Sequence, residues 1–83
     1  MKLIICAVYD AALQAYLRPF PAASIGVAVR EFGTECRRPD SPLKNHAKDY
    51  SLYLIGEFDD QSGSIIPRPP EVIDQATNHS QEA

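Results

Sequence analysis

Apolar residues run unbroken from Leu3 to Val8 and close on Tyr9, a β-rich stretch that predicts a strand central in its sheet. Asp10 ends the run. A second strand is predicted over Gln14–Phe20, where Tyr16, Leu17 and Phe20 supply the apolar positions and Pro19 and Pro21 mark its end. The two strands read as a hairpin, although Ala11 to Ala15 has helical propensity and could hold a helical turn between them.

Ser24 is placed to cap a helix, because its hydroxyl can accept from a backbone N–H in the first turn that has no partner within the helix. Ile25, Val29, Phe32 and Cys36 recur at spacings of four, three and four, which predicts one apolar stripe on a helix reaching about Cys36. Gly26 and Gly33 each cost about 1 kcal/mol relative to alanine inside a helix, so tertiary packing must hold it. Pro39 and Pro42 end the helix and open a polar loop through Asp49.

Tyr50 to Phe58 has the clearest strand pattern in the chain. Alternation puts Leu52, Leu54 and Phe58 on one face and Ser51, Tyr53, Ile55 and Glu57 on the other. Asp59 to Gly63 reads as a turn, and Ser64 to Ile66 as a short returning strand that Pro67 stops. Beyond it come three prolines, acids and amides without an apolar period, which predicts a disordered tail over 67–83. The expected fold is a compact α+β domain over residues 1–66, a small antiparallel sheet in ββαββ order with one amphipathic helix packed on one face.

Composition narrows the function classes. Ten of the 83 residues are alanine and only twenty are Leu, Ile, Val or Phe, so the core is thin and a dimer or a bound ligand would help to stabilise it. Deep two-substrate pockets are not expected in so short a chain. Cys6 and Cys36 are too few for a disulfide framework or a four-cysteine zinc site, and a reducing compartment is the default. The opening apolar run breaks at Tyr9-Asp10 without a cleavage-site pattern, and no stretch approaches the ~20 apolar residues that span a bilayer, so no membrane partner is expected.

The net charge of -3 hides an asymmetry. Residues 1–48 hold seven bases and four acids, a balance of +3, whereas residues 49–83 hold one base and seven acids, a balance of -6. Arg30, Arg37, Arg38, Lys44 and Lys48 crowd the helix and the loop after it, with Glu31, Glu35 and Asp40 interspersed. One reading is a phosphate-contacting edge, and the other is an ordinary solvated face of mixed charge. Tyr9, Tyr16, Tyr50 and Tyr53 are candidates for stacking on bases. Tyr53 is expected on the sheet face that a single helix leaves uncovered, where water, nucleic acid or a second subunit must meet it.

Catalytic constellations are not found. His46 and His79 stand apart from any metal-ligand spacing, and Glu57, Asp59 and Asp60 read as a solvated turn. Cys6 in a strand and Cys36 near a helix C-terminus lack the setting that activates a thiol. The expectation is a protein that is not an enzyme and needs no cofactor.

Val8-Tyr9-Asp10, Ala15-Tyr16-Leu17-Arg18-Pro19-Phe20, Ala28-Val29-Arg30-Glu31-Phe32 and the run from His46 to Asp60 together resemble the small non-structural protein of gokushovirus-type microviruses. The resemblance covers about residues 3–66 in the same order. It implies a non-structural DNA-binding accessory of a single-stranded-DNA phage, acting in the host bacterial cytoplasm on replication or on the switch to single-stranded genome synthesis. Among the matching positions it nominates Tyr16 and Arg18, beside Phe20, Arg30, Lys48 and Tyr50. The nucleic-acid-binding set is therefore Arg18, Arg30, Arg37, Arg38, Lys44, Lys48, Tyr16 and Tyr53, with single-stranded DNA as the expected partner. The alternative is a protein–protein adaptor for the phage initiator or a host replication factor, acting through the face around Tyr53 and Ile55. A homodimer is a further expectation, and a capsid or scaffold component is the least favoured class.

Overall fold

The structure, a computed structural model, describes residues 1–79. Strand β1 (Lys2–Asp10) is central, and the sheet order is β2-β1-β4-β5, with β3 pairing further along β1 on the β2 side. β2 (Ala15–Tyr16) and β3 (Phe20–Ala22) are short, β4 (Tyr50–Asp59) and β5 (Ile65–Gln75) are long, and every pairing is antiparallel. Helix α1 (Ile25–Arg37), the short α2 (Pro42–Asn45) and a 3-10 turn at Ala47–Asp49 form a second layer on one face. The α+β class, with one main helix on an antiparallel sheet, is as the sequence predicts.

The core lies between α1 and the sheet, where Ala28, Phe32 and Cys36 meet Cys6, Leu52 and Leu54. Ser24 caps α1 as expected, its Oγ accepting from the Val27 N–H at 3.2 Å. Ile25, in contrast, is 46% exposed. As the first helical residue it projects past the sheet contact, and the buried stripe begins one turn later with Ala28.

Four further expectations are corrected. The strand predicted over Gln14–Phe20 is two pieces, and Gln14, at a left-handed φ of 61°, lies in the turn before it. Between the Tyr9–Tyr16 and Cys6–Phe20 pairs, residues 17–19 stand against only Ala7 and Val8, so the ladder breaks after the Leu17 N–H bonds the Val8 carbonyl at 2.7 Å. The loop after α1 contains α2, which Pro42 starts and buried Ser41 caps. Phe58 is not on the face of Leu52 and Leu54. The register of β4 against β1 shifts between the Cys6–Leu54 and Ile5–Gly56 pairs, so the extra residue Ile55 turns Phe58 to the opposite side, across from Leu3.

The chain past Pro67 is ordered through His79, as β5 and a 3-10 turn at Ala76–His79. Prolines argue against a central strand, but β5 is an edge strand and needs hydrogen bonds on one side only. Its register against β4 jumps from Pro67 to Glu71, so Arg68, Pro69 and Pro70 bulge out of the ladder. Residues 80–83 of the expected tail lie outside the described residues.

Candidate nucleic-acid interface

The cations of the nominated set sit mainly in the helical layer, and they differ in what already holds them. Arg38, the residue capping the C-terminus of α1, is engaged by Glu35 Oε2 at 2.7 Å and Asp40 Oδ1 at 3.6 Å. Arg37 directs Nη1 towards His79 Nδ1 at 3.4 Å. Arg30 is exposed on α1. Lys44 on α2 and Lys48 in the 3-10 turn line a cleft of about 620 Å³ together with His46, Asp49 and Thr77. Among the described residues, Arg18, Arg30, Lys44 and Lys48 take part in no ion pair.

The tyrosines lie on the other side of the sheet. Strand alternation sets Tyr9 and Tyr53 opposite to Val8, Leu52 and Leu54, which face the helices. Tyr16 pairs with Tyr9 across β1 and β2. The three rings contact one another edge to face, with centroids 4.9 Å apart for Tyr9–Tyr16, 5.5 Å for Tyr16–Tyr53 and 6.1 Å for Tyr9–Tyr53. Such contacts contribute about 0.5–1.5 kcal/mol each beyond buried area, so the cluster is a packed unit rather than a row of free stacking platforms.

The sheet therefore stands between Tyr16 and Tyr53 on one side and Arg30, Arg37, Arg38, Lys44 and Lys48 on the other. Arg18, exposed in the connection from β2 to β3, is the one nominated cation close in sequence to the tyrosine cluster. A surface that combines phosphate contacts from the helix with base stacking on these rings is not assembled. The helical layer offers cations, interspersed with Glu31, Glu35 and Asp49, but not the rings of the tyrosine cluster, which suits backbone contact without base readout.

Two relationships could not be read along the chain. His79, expected in a tail, donates from Nε2 to Asp74 Oδ2 at 2.5 Å and packs edge-on to Phe32 at 5.9 Å. A Cβ on Gly33 would lie 2.8 Å from the His79 ring, so the glycine that weakens α1 is the seat of this imidazole. Only Gly33 itself, an unfavourable residue inside a helix, hinted at a close approach. Both thiols are buried and free; burial pushes Cys6 up, and burial, Asp74 and Glu35 push Cys36 up to about 11 against the opposing effect of Arg37. Each stays protonated at neutral pH.

Among the described residues, no helix is long and apolar enough to cross a membrane. No curated protein and no solved structure matches the chain. A family model described as Phage ORF5 protein matches residues 3–79, which takes in β1 through the last 3-10 turn and so the whole described fold except its first two residues. The chain belongs to the phage ORF5 protein family.

Proposed function

We propose that this phage protein is a non-enzymatic, non-structural accessory of the gokushovirus type that binds viral single-stranded DNA through its helical layer. It acts in the host cytoplasm on replication or on the switch to single-stranded genome synthesis. The observation that supports this reading is the cleft in which Lys44 and Lys48, neither of them ion-paired among the described residues, stand together on the layer that also carries Arg30. Lysines without carboxylate partners can neutralise phosphates and release counterions, whereas Arg38, held between Glu35 and Asp40, contributes less. Contact with the backbone alone carries no sequence preference.

Fluorescence anisotropy on a labelled oligonucleotide at graded salt tests the proposal. Binding is expected at low salt, and Lys44→Ala with Lys48→Ala should flatten the log–log salt slope by about 1.4, or about 0.7 for each phosphate that is no longer neutralised. Absence of binding at low salt sinks the proposal. A slope unchanged in the double variant removes the cleft from it.

A further inference from the structure

The face of the sheet turned away from the helices carries no charge at any position that the strand register assigns to it. Leu3, Ile5 and Phe58 stand at one end of it, and Tyr9, Tyr16 and Tyr53 at the other. On β5 the register adds Ile65 opposite Phe58 and Val72 opposite Tyr53, and they are 67% and 46% exposed. In a chain with 23% charged residues, an entire sheet face without Asp, Glu, Lys or Arg is a marked departure. The helix side of the same strands is different, since its uncovered end carries Lys2, Glu57 and Asp59.

We infer that this face is the interface of a homodimer, in which two copies stack sheet against sheet with their helical layers outward. Depletion of charge and enrichment of tyrosine and phenylalanine are the marks of an interface centre. Charge neutrality suits a two-fold contact in particular, because each residue near the axis meets its own copy and any charge there would meet its like. A nucleic-acid strand is the poorer occupant, since no strand position of the face supplies a cation to meet its phosphates and Arg18, in the connection from β2 to β3, is the one nominated cation close to it in sequence.

Size supports the same occupant. The molecule measures 46 × 24 × 18 Å, so its two longest extents enclose at most about 1,100 Å², room for the about 800 Å² that each partner buries in a standard stable interface. The fold also has a use for that burial, because among the described residues the large side chains of the buried core are only Phe32, Leu43, Leu52 and Leu54. Pairing edge to edge is opposed. On β5 the bulge of Arg68, Pro69 and Pro70 interrupts the free edge, and the other edge is divided between the short β2 and β3.

Sedimentation equilibrium of the full chain over a wide concentration range tests this inference independently of DNA binding. The expected mass is about twice 9.2 kDa. Ile65→Lys, at a position exposed enough to leave the fold intact, and Tyr53→Glu on a central strand should each return the mass to that of one chain. Circular dichroism verifies that both remain folded, and if Tyr53→Glu unfolds, Ile65→Lys decides alone. Ile25→Lys, on the exposed start of α1 across the sheet, should leave the dimer intact. A single-chain mass at every concentration overturns the inference, even if another protein binds the face. So does a dimer that survives Ile65→Lys or is broken by Ile25→Lys.

Discussion

His79 Nε2 donates to Asp74 Oδ2 at 2.5 Å, and this contact fixes the last 3-10 turn to the end of β5. The carboxylate can only accept, so it fixes Nε2 as the donor and leaves Nδ1 facing Arg37 Nη1 at 3.4 Å. The ring edge rests on Phe32 and over Gly33, and Asp74 is anchored in turn by Asn78 Nδ2 at 2.9 Å and the Gln75 N–H at 2.8 Å. The last 3-10 turn is thus held by α1 and by the end of β5 together.

Gly33→Ala should reveal this dependence by changing sign with its background. Alanine favours the helix by about 1 kcal/mol, but its Cβ would lie 2.8 Å from the His79 ring and 3.1 Å from Arg37 Nη1. The ring can retreat only by giving up Asp74. Gly33→Ala is therefore expected to destabilise the native chain by about 1–2 kcal/mol and to stabilise a His79→Ala chain by up to about 1 kcal/mol. Denaturant unfolding of the four chains of this double-mutant cycle measures it, and equal effects in both backgrounds would refute the contact.

Stability should fall at acid pH partly through Asp74. Burial pushes its carboxyl up, but hydrogen bonds from Asn78, His79 and the Gln75 N–H outweigh burial and leave the pKa below the ordinary 3.8. A carboxyl with a folded pKa below its unfolded one stabilises fully above the unfolded value and loses that contribution as pH falls through the folded value. The loss is therefore confined to pH below about 4. Asp74→Asn should flatten the acid limb of a stability–pH profile while lowering stability at neutral pH, and an acid limb of unchanged steepness would contradict this.

Ser41 is fully buried, and both of its hydroxyl functions are used. Its Oγ accepts from the Leu43 N–H at 3.1 Å, capping α2, and donates to Glu35 Oε2 at 2.7 Å. Ser41→Ala should cost about 1–2 kcal/mol in denaturant unfolding, the range of a missing cap together with a missing hydrogen bond to a carboxylate. No change would mean that α2 forms without its cap.

Gly56 faces backbone rather than a side chain. A Cβ there would lie 2.8 Å from the carbonyl oxygen of Ile66, in the ladder between β4 and β5. Neither group moves without opening the ladder, so Gly56→Ala should destabilise by about 1–3 kcal/mol. Hydrogen exchange should show the loss of protection concentrated where Glu57 pairs with Ile66 and sparing the pairing of β1 with β4.

Local pattern was sufficient for much of the fold. The unbroken run from Leu3 makes β1, the Ser24 hydroxyl starts α1, and alternation over Tyr50–Leu54 sets Leu52 and Leu54 inward with Tyr53 outward. The Asp59–Gly63 turn closes with Gly63 at a φ of 77°, which glycine adopts without strain. These features depend on residues a few positions apart, where backbone sterics and side-chain period act directly.

What failed along the chain depends on partners distant in sequence. The single extra residue at Ile55 reverses the facing of Phe58, and only the register against β1 reveals it. Prolines after Ile66 speak for disorder until β5 is found at an edge, where the unpaired side needs no donors. The candidate site divides for the same reason. Alternation along β4 puts Tyr53 on the face away from the helix, but the spacing of Lys44, Lys48 and Tyr16 along the chain does not say on which side of the sheet each falls. By itself the sequence determined that this is a small α+β phage protein with basic residues on its helix and tyrosines on its strands. The tertiary structure alone decided that Tyr16 joins Tyr9 and Tyr53 in one cluster across the sheet from those cations, because antiparallel pairing assigns each side chain to a face through its partner strand.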